Sequence, residues 1–186
     1  FVKKNKIFLV EDCSQAHGLK IDGHRVGSLA DTSVWSMYPT KNLGALGDAG
    51  MVSTGIESIS NILKMLRNYG KNSGQEFRHI GRNARLDTIQ AIFLSHKLPL
   101  LDELNSERLQ IASEYSKRID NSRVNNISGN WLGNSVYHLY IVMVDNRSRF
   151  MSYLESRDIQ TQIHYEFELC NQMALKDLNL PSMPNA

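Results

Sequence analysis

The sequence predicts an α/β fold, and three features indicate it. Two runs, Lys6–Val10 and Ser33–Tyr38, are short, apolar and β-branched or aromatic, as buried sheet strands tend to be. Apolar residues with helical spacing follow over Ile56–Tyr69 and again from Thr88 onward. With 186 residues, of which 41% are hydrophobic and 22% charged, the chain can bury a sizeable core.

The first half of the chain alternates strand and helix signals. Asp22-Gly23 indicates a turn between the first two predicted strands, and Pro39 ends the second strand. Gly50–Ser53 is predicted as a third short strand before the first helix. The polar, glycine-bearing stretch Gly70–Arg82 is predicted as a loop.

A long helical pattern comes next and is interrupted by Pro99. It predicts one helix over Thr88–Leu98 and a second from Leu100 to about Ile119. The stretch Asn121–Asn134 is rich in Asn, Ser and Gly, which is typical of a loop or a joint between domains.

The last part of the chain shows a strand, helix and strand pattern. The predicted elements are a strand at Val136–Val144, a helix at Arg147–Arg157 and a strand at Gln160–His164. A piece of this size buries little core by itself, so we expect it to form a small domain that packs on the first.

Charge and cysteine usage exclude several classes of partner. A net charge of +2 gives no support to a nucleic-acid or membrane partner, and no apolar run approaches the length of a membrane span. Cys13 and Cys170 are isolated thiols, which favours a reducing cytoplasm over a disulfide framework. No His, Cys, Asp and Glu spacing suits a metal, so we expect no metal site.

The chemistry is concentrated in two stretches. The run SVWSMYPTKNLGALGDAG places Lys41 among small residues and glycines, without an adjacent acid. Such a lysine suits an amine that attacks a carbonyl, although most loop lysines are simply solvated. Upstream, IFLVEDCSQAHG ends a predicted strand in Glu11 and Asp12. A lysine nucleophile with an acid at the end of a neighbouring strand is the layout that pyridoxal phosphate (PLP) enzymes use.

Several ordered blocks carry a family resemblance. They are EDCSQAHG, VGS, WSMYPTKNLGALGDAG, LRNYG, GRNARLD and VYHLYIV. In this order the chain resembles the DegT/DnrJ/StrS family of nucleotide-sugar aminotransferases. The resemblance implies the aspartate aminotransferase fold, with residues 1–120 as the second half of the large PLP-binding α/β/α domain and its long connecting helix. Residues 121–186 would form part of a small α+β C-terminal domain. Because family members are roughly twice this long, we expect an internal or truncated fragment.

The resemblance also implies a set of cofactor contacts. Lys41 would form the Schiff base with PLP, and Asp12 would face the pyridine nitrogen. Gln15 would contact the phenolic oxygen, and Ser36 would donate to the phosphate. Asn83 would reach the phosphate of the neighbouring subunit, which makes a homodimer the expected assembly.

Each of these residues also has a plain structural interpretation. Asp12 could cap a helix, Ser36 could be a polar side chain on a half-buried strand, and Asn83 could be a turn residue before a helix. Gly44, Gly47 and Gly50 do not have the spacing of a nucleotide-phosphate loop.

The implied reaction transfers an amino group, with glutamate as the expected donor, to a nucleotide-linked keto-sugar. The YPTKNLGALGDAG stretch favours a 3-keto-6-deoxyhexose, and the expected setting is deoxyaminosugar biosynthesis for lipopolysaccharide or O-antigen. One alternative is a truncated, non-catalytic remnant of such an enzyme. Another is a PLP-dependent sugar dehydratase of the same family. That branch has histidine where this chain has Lys41, so the aminotransferase is favoured.

Overall fold

The computed structural model describes residues 1–2, 4–178 and 180–181. The chain divides into two compact units, Phe1–Met143 and Val144–Ala186. The predicted domains, 1–120 and 121–186, stay a prediction, and the last five residues of the second lie outside the described ranges.

The expected α/β class is confirmed. The strands are β1 (Val10–Asp12), β2 (Lys20–Ile21), β3 (His24–Arg25), β4 (Thr32–Ser36), β5 (Gly50–Ser53), β6 (Val124–Asn125) and β7 (Met143–Val144). The main sheet has the order β1-β4-β5, in which β1 pairs parallel to β4 and β5 pairs antiparallel to β4. The parallel pair matters for function because the carboxyl ends of its strands meet at one edge.

The first strand begins later than predicted. The prediction of a buried strand over Lys6–Val10 is wrong, because Ile7 and Phe8 are 48% and 53% exposed and pairing starts only at Val10, opposite Thr32. The carboxylate of Asp31 accepts a hydrogen bond from the Leu9 N–H at 2.8 Å. A side chain therefore occupies the position that a paired strand would need.

The predicted turn at Asp22-Gly23 is confirmed. It joins β2 to β3 in a tight antiparallel hairpin, with φ values of +50° and +80° at the two turn residues. Positive φ at both central positions is the backbone of a type I′ turn, for which Asp-Gly is a favoured sequence. The Gly50–Ser53 strand is confirmed with the same bounds.

The helices agree closely with the pattern. They are α1 (Glu57–Leu66), α2 (Thr88–Lys97), α3 (Leu101–Arg118) and α4 (Arg147–Glu155). Between α2 and α3 the chain makes a 3₁₀ turn over Leu98–Leu100, because Pro99 lacks the N–H that an uninterrupted helix would use. In the second unit, the side chain of Asn146 caps α4 by accepting from the Arg149 N–H at 3.0 Å.

Two predicted strands are wrong. Of Val136–Val144 only Met143–Val144 is a strand, and Gln160–His164 has no strand structure. Apolar and β-branched composition favours extended backbone, but a strand forms only where a neighbour supplies hydrogen bonds. The predicted loop at Gly70–Arg82 is confirmed, since it contains neither helix nor strand.

The core of the first unit lies beneath the loop that carries Lys41. Met37, Leu43 and Ala45 come from the end of β4 and the loop after it, and they pack with Leu94 of α2 and Leu101 of α3. Buried residues thus flank Lys41 on both sides in the sequence, which fixes the loop backbone to the helices. Within the described residues, no helix is both long and apolar enough to cross a membrane.

Candidate active site

The sheet places Asp12 and Ser36 on one face. Asp12 is opposite Val34 in the parallel β1–β4 pair, and Ser36 lies two residues beyond Val34. Paired residues of parallel strands point to the same face, as do residues two apart in one strand. Both polar side chains therefore stand on the same side, at the carboxyl ends of their strands.

Asp12 is held as a carboxylate. One of its oxygens accepts a hydrogen bond from the Ser14 N–H at 3.0 Å. The hydrogen bonds from Ser14, and the positive charge of Lys41 as a smaller effect, lower the pKa of Asp12 against the opposing effect of burial. The sequence predicts that the stretch with Asp12 places an acid near the stretch with Lys41, and the Asp12 carboxylate is such an anionic group.

Lys41 sits on a short closed loop after β4. The Lys41 N–H donates to the Tyr38 carbonyl at 2.8 Å, and the Ala45 N–H donates to the Met37 carbonyl at 2.8 Å. Gly44 is required for this closure, because a Cβ there would lie 2.3 Å from the Pro39 carbonyl oxygen. The glycine-rich sequence therefore serves a close backbone approach.

Helix α2 holds the same loop from the other side. The side chain of Gln90 accepts from the Leu46 N–H at 2.9 Å, and the Lys97 ammonium donates to the Gly44 carbonyl at 3.3 Å. Lys41 itself is half-buried. Its backbone is thus fixed by polar contacts as well as by the core.

Glu11 has a structural role. Its carboxylate accepts from the Gly27 N–H at 3.0 Å and from the Ser33 hydroxyl at 3.4 Å. These contacts lie on the sheet face opposite to that of Asp12, since Glu11 and Asp12 are consecutive in β1. The VGS block is therefore the turn that Glu11 ties to the sheet.

His17 is a packing residue and is only 1% exposed. Its ring lies against that of Trp35, with 5.3 Å between the centroids. Burial, and then the charge of Lys41, lower the pKa of His17, with the backbone of Ser36 opposing them weakly. The imidazole is thus neutral at physiological pH.

Cys13 is buried beside this cluster and is not a nucleophile. Burial, and then the Glu11 carboxylate, raise the pKa of the Cys13 thiol to about 11. The thiol is therefore protonated at neutral pH. In the part of the chain that the structure describes, no three His, Cys, Asp or Glu side chains form a metal-binding group.

The other two predicted contacts differ in placement. Gln15 is exposed and lies in the turn after β1, near Asp12 in the sequence. Asn83 is exposed on the loop before α2, where it bridges to Asn68 and accepts from the Arg85 side chain at 3.0 Å. Asn68 lies just past the end of α1 and Arg85 lies on the same loop as Asn83, so these contacts of Asn83 involve neither Asp12 nor Lys41.

Sequence reasoning missed the residues that support the site. Each of four such residues contacts a site segment: Ser14, Gln90, Trp35 and Asn105. Ser14 and Trp35 lie within the quoted blocks but had no expected role, and Gln90 and Asn105 lie outside every block. The one available signal was the polar Asn105 within the apolar pattern of α3. A buried amide in such a place normally has a hydrogen-bond partner.

Comparison with known proteins places this geometry in a family. A dTDP-3-amino-3,6-dideoxy-alpha-D-galactopyranose transaminase from Aneurinibacillus thermoaerophilus is 41% identical over 182 residues, which are 98% of this chain and 50% of that protein. The erythromycin biosynthesis sensory transduction protein EryC1 from Saccharopolyspora erythraea is 36% identical over 179 residues, 96% of this chain and 49% of the relative.

A solved structure shows the same fold. The crystal structure of DesV from S. venezuelae, in complex with a ketimine intermediate, superposes with a TM-score of 0.88 at 32% identity. It is matched over 99% of this chain and 50% of its own length. The chain spans about half the length of the curated relatives it matches.

The match to the family model extends over residues 1–186. The expected resemblance and the aspartate aminotransferase type of fold are thereby confirmed. The chain belongs to the DegT/DnrJ/EryC1/StrS aminotransferase family.

Proposed function

We propose that this chain carries the lysine and acid centre of a PLP-dependent aminotransferase acting on a nucleotide-linked keto-sugar. The observation that carries the proposal is that Asp12 ends β1 while Lys41 lies on the closed loop that follows the neighbouring parallel strand β4, with Lys41 among the groups that lower the pKa of Asp12. Named relatives that act on amino sugars support the substrate class.

The residues present fit the cofactor chemically. An anionic carboxylate at Asp12 suits a protonated ring nitrogen, and a half-buried primary amine at Lys41 suits the aldehyde. Ser36 accepts from the Tyr38 N–H at 3.4 Å, so its hydroxyl hydrogen can be donated to a phosphate oxygen. Gln15, on the turn after β1, can donate its amide to the phenolic oxygen.

The residues of the chain have separate roles in the proposed reaction. When bound, PLP supplies an electron sink for a carbanion next to nitrogen. Asp12 keeps the ring nitrogen protonated through its negative charge. Lys41 would hold the cofactor through its amine, and the same nitrogen, when free, would accept and return a proton at Nζ. The backbone hydrogen bonds of the closed loop and its core contacts fix the backbone from which the Lys41 side chain extends.

The substrate and setting follow from the same resemblance. We propose glutamate as the amino donor and a dTDP-linked 3-keto-6-deoxyhexose as the acceptor, supported by the relative named for a 3-amino-3,6-dideoxy sugar. The proposed setting is cytoplasmic deoxyaminosugar biosynthesis for lipopolysaccharide or O-antigen. The two cysteines are free in the structure, which accords with a reducing compartment.

We further propose a homodimer in which Asn83 reaches the cofactor phosphate of the neighbouring subunit. The loop before Asn83 exposes Phe77 by 66% and Ile80 fully, as expected of a surface that another protein covers. A second copy fits, because an exposed Asn83 next to that surface could then complete the partner's site.

Turnover of the intact protein tests the proposed function. Glutamate and a dTDP-3-keto-6-deoxyhexose are supplied with PLP, and the aminated sugar is followed by mass spectrometry. Lys41→Ala should abolish product, whereas Lys64→Ala, which alters an exposed lysine on α1, should leave the rate unchanged. Product formation by Lys41→Ala at the rate of the unaltered protein would refute the proposal.

A further inference from the structure

A partly buried chain of hydrogen bonds joins the acid segment, the lysine loop and helix α3. The Asn105 side chain donates from Nδ2 to the His17 carbonyl at 2.8 Å. The Asn42 Nδ2 donates to the Asn105 Oδ1 at 2.8 Å and to the Val136 carbonyl at 2.8 Å. The two side chains and two carbonyls are called the amide relay below.

The two backbone carbonyls at the ends of the relay determine how each amide side chain is oriented. The carbonyls of His17 and Val136 can only accept, so each amide must present its NH₂ group to one of them. The Asn105 oxygen is then left facing Asn42, which donates to it. The orientation of both amides follows from the backbone at either end, and reversing either would place two acceptors together.

The relay contacts both the segment that carries Lys41 and the segment that carries Asp12. Asn42 directly follows Lys41 and is 4% exposed, whereas His17 closes the segment that begins with Asp12. The bond from Asn42 to the Val136 carbonyl is buried and therefore costly to leave unmade, because water does not readily replace the lost partner, and the two bonds of Asn105 are partly buried.

Helix α3 also holds the acid segment by neighbouring contacts. Arg25 donates to Asp102 through both guanidinium nitrogens, at 3.1 and 2.7 Å, and to the Gly18 carbonyl at 3.2 Å. Gly18 lies so close to α3 that a Cβ there would be 2.7 Å from the Asn105 Nδ2. The helix therefore contacts both segments along one turn.

We propose that Asn105 is a positioning residue, which sets the distance between Asp12 and Lys41 by holding their two segments to one side chain. The proposal rests on the proposed function for its catalytic consequence. Its structural part, that the two segments move independently once Asn105 is removed, requires no cofactor.

The decisive variant is Asn105→Leu, which keeps the size of the side chain but cannot make either bond. Ala112→Gly is the matched control, because it destabilises the same helix from a buried position outside the relay. Hydrogen exchange of the intact, cofactor-free protein is compared for the peptides that contain residues 38–45 and 14–19. Both peptides should exchange at least about tenfold faster in Asn105→Leu than in Ala112→Gly.

The relay also predicts non-additivity. If Asn42 and Asn105 act as one unit, exchange in the 38–45 peptide should accelerate no further in the double variant Asn42→Ala/Asn105→Leu than in the stronger single variant. Should Asn105→Leu fail to fold, Asn105→Asp keeps the oxygen that Asn42 uses and removes the donor to His17. In that variant the 14–19 peptide should lose more protection than the 38–45 peptide.

With PLP present, the visible absorbance of the bound cofactor is titrated with pH. In Asn105→Leu, a changed distance between the charges of Asp12 and Lys41 should move the midpoint of this absorbance titration by about half a pH unit. In Ala112→Gly the midpoint should stay in place. Equal exchange in the two variants together with an unmoved midpoint would overturn the proposal. Absence of a cofactor band in the unaltered protein would instead refute the proposed function, while the exchange data would still decide on the relay.

Discussion

Lys41 lies close enough to Asp12 for its positive charge to help lower the pKa of that carboxyl, after the larger effect of the hydrogen bonds from Ser14, although Lys41 and Asp12 lie on separate segments of the chain. The parallel pairing of β1 with β4 produces this proximity, because it brings the ends of both strands to one edge. Two neighbouring ionisable residues, Glu11 and His17, differ from Asp12 in placement. Glu11, the other acid of the pair, is directed to the opposite face, and His17 is buried and neutral.

The first prediction separates the two adjacent acids. Asp12→Asn keeps the shape of the side chain but removes the charge that is proposed to face the ring nitrogen. Turnover should fall by several powers of ten, a loss of more than about 4 kcal/mol in transition-state stabilisation. PLP should still bind, as measured by absorbance.

Glu11→Gln is the matched control for that prediction. The amide oxygen can still accept from the Gly27 N–H, so activity should stay within about threefold of the unaltered protein. A near-normal rate in Asp12→Asn, or an equal loss in both variants, would assign the charge near the ring to another residue.

The second prediction concerns the glycine of the VGS block. Gly27 has φ of +90°, and a Cβ there would lie 2.0 Å from the ring of Trp35, which is fixed by His17 and by its hydrogen bond to Ser53. Gly27→Ala should lower the free energy of unfolding by about 3 kcal/mol, through backbone strain and overpacking together.

Gly23→Ala isolates the strain alone. Gly23 has φ of +80° with nothing within 4 Å of the added Cβ. Gly23→Ala should therefore lower the free energy of unfolding by only about 1 kcal/mol. Urea unfolding monitored by circular dichroism measures both variants. Equal losses would show that Trp35 moves aside freely.

Whether a structural feature could be predicted from the sequence depends on how far apart in the chain the interacting residues lie. The Asp-Gly hairpin, the β5 bounds and the break at Pro99 follow from local chemistry, and all three were predicted correctly. The strand over Val136–Val144 was not, since pairing depends on distant neighbours that composition does not specify.

The same limit applies to the site. Asp12 and Lys41 were found because their blocks have recognisable residues at fixed spacing. Asn105 contacts both segments from a distant part of the sequence, and its only local signal is a polar side chain within the apolar pattern of α3. Its role is visible only when the segments are folded against α3.

The third prediction is a pH dependence of stability. The pKa of His17 is lowered in the folded protein, so the unfolded chain binds a proton more readily below about pH 6.5. The contribution of His17 to stability is therefore fully present above that pH and is lost as the pH falls toward the folded pKa.

His17→Phe, which retains the aromatic contact with Trp35, should flatten the fall in thermal stability between about pH 7 and pH 5. His24→Gln, at an exposed position on β3, should leave the slope unchanged. The measurement is the melting temperature of the cofactor-free protein across that range. An unchanged slope in His17→Phe would show that another group carries the dependence.

The fourth prediction concerns assembly. Ile80→Glu puts a charge on the exposed apolar loop before Asn83 and should weaken the proposed homodimer by at least about tenfold, as measured by sedimentation velocity. Ile89→Glu, an exposed apolar residue on α2, serves as the comparison for a non-specific effect of charge. Equal sedimentation of Ile80→Glu and the unaltered protein would move the interface elsewhere.

The most direct test of the account is to identify the lysine that bonds to the cofactor. The intact protein is incubated with PLP, reduced with borohydride, digested and analysed by mass spectrometry. We expect the cofactor to be fixed on Lys41. Lys97, whose ammonium lies 3.3 Å from the Gly44 carbonyl of the same loop, is the nearest rival. An adduct on Lys97, on any other lysine or on none would contradict the central assignment.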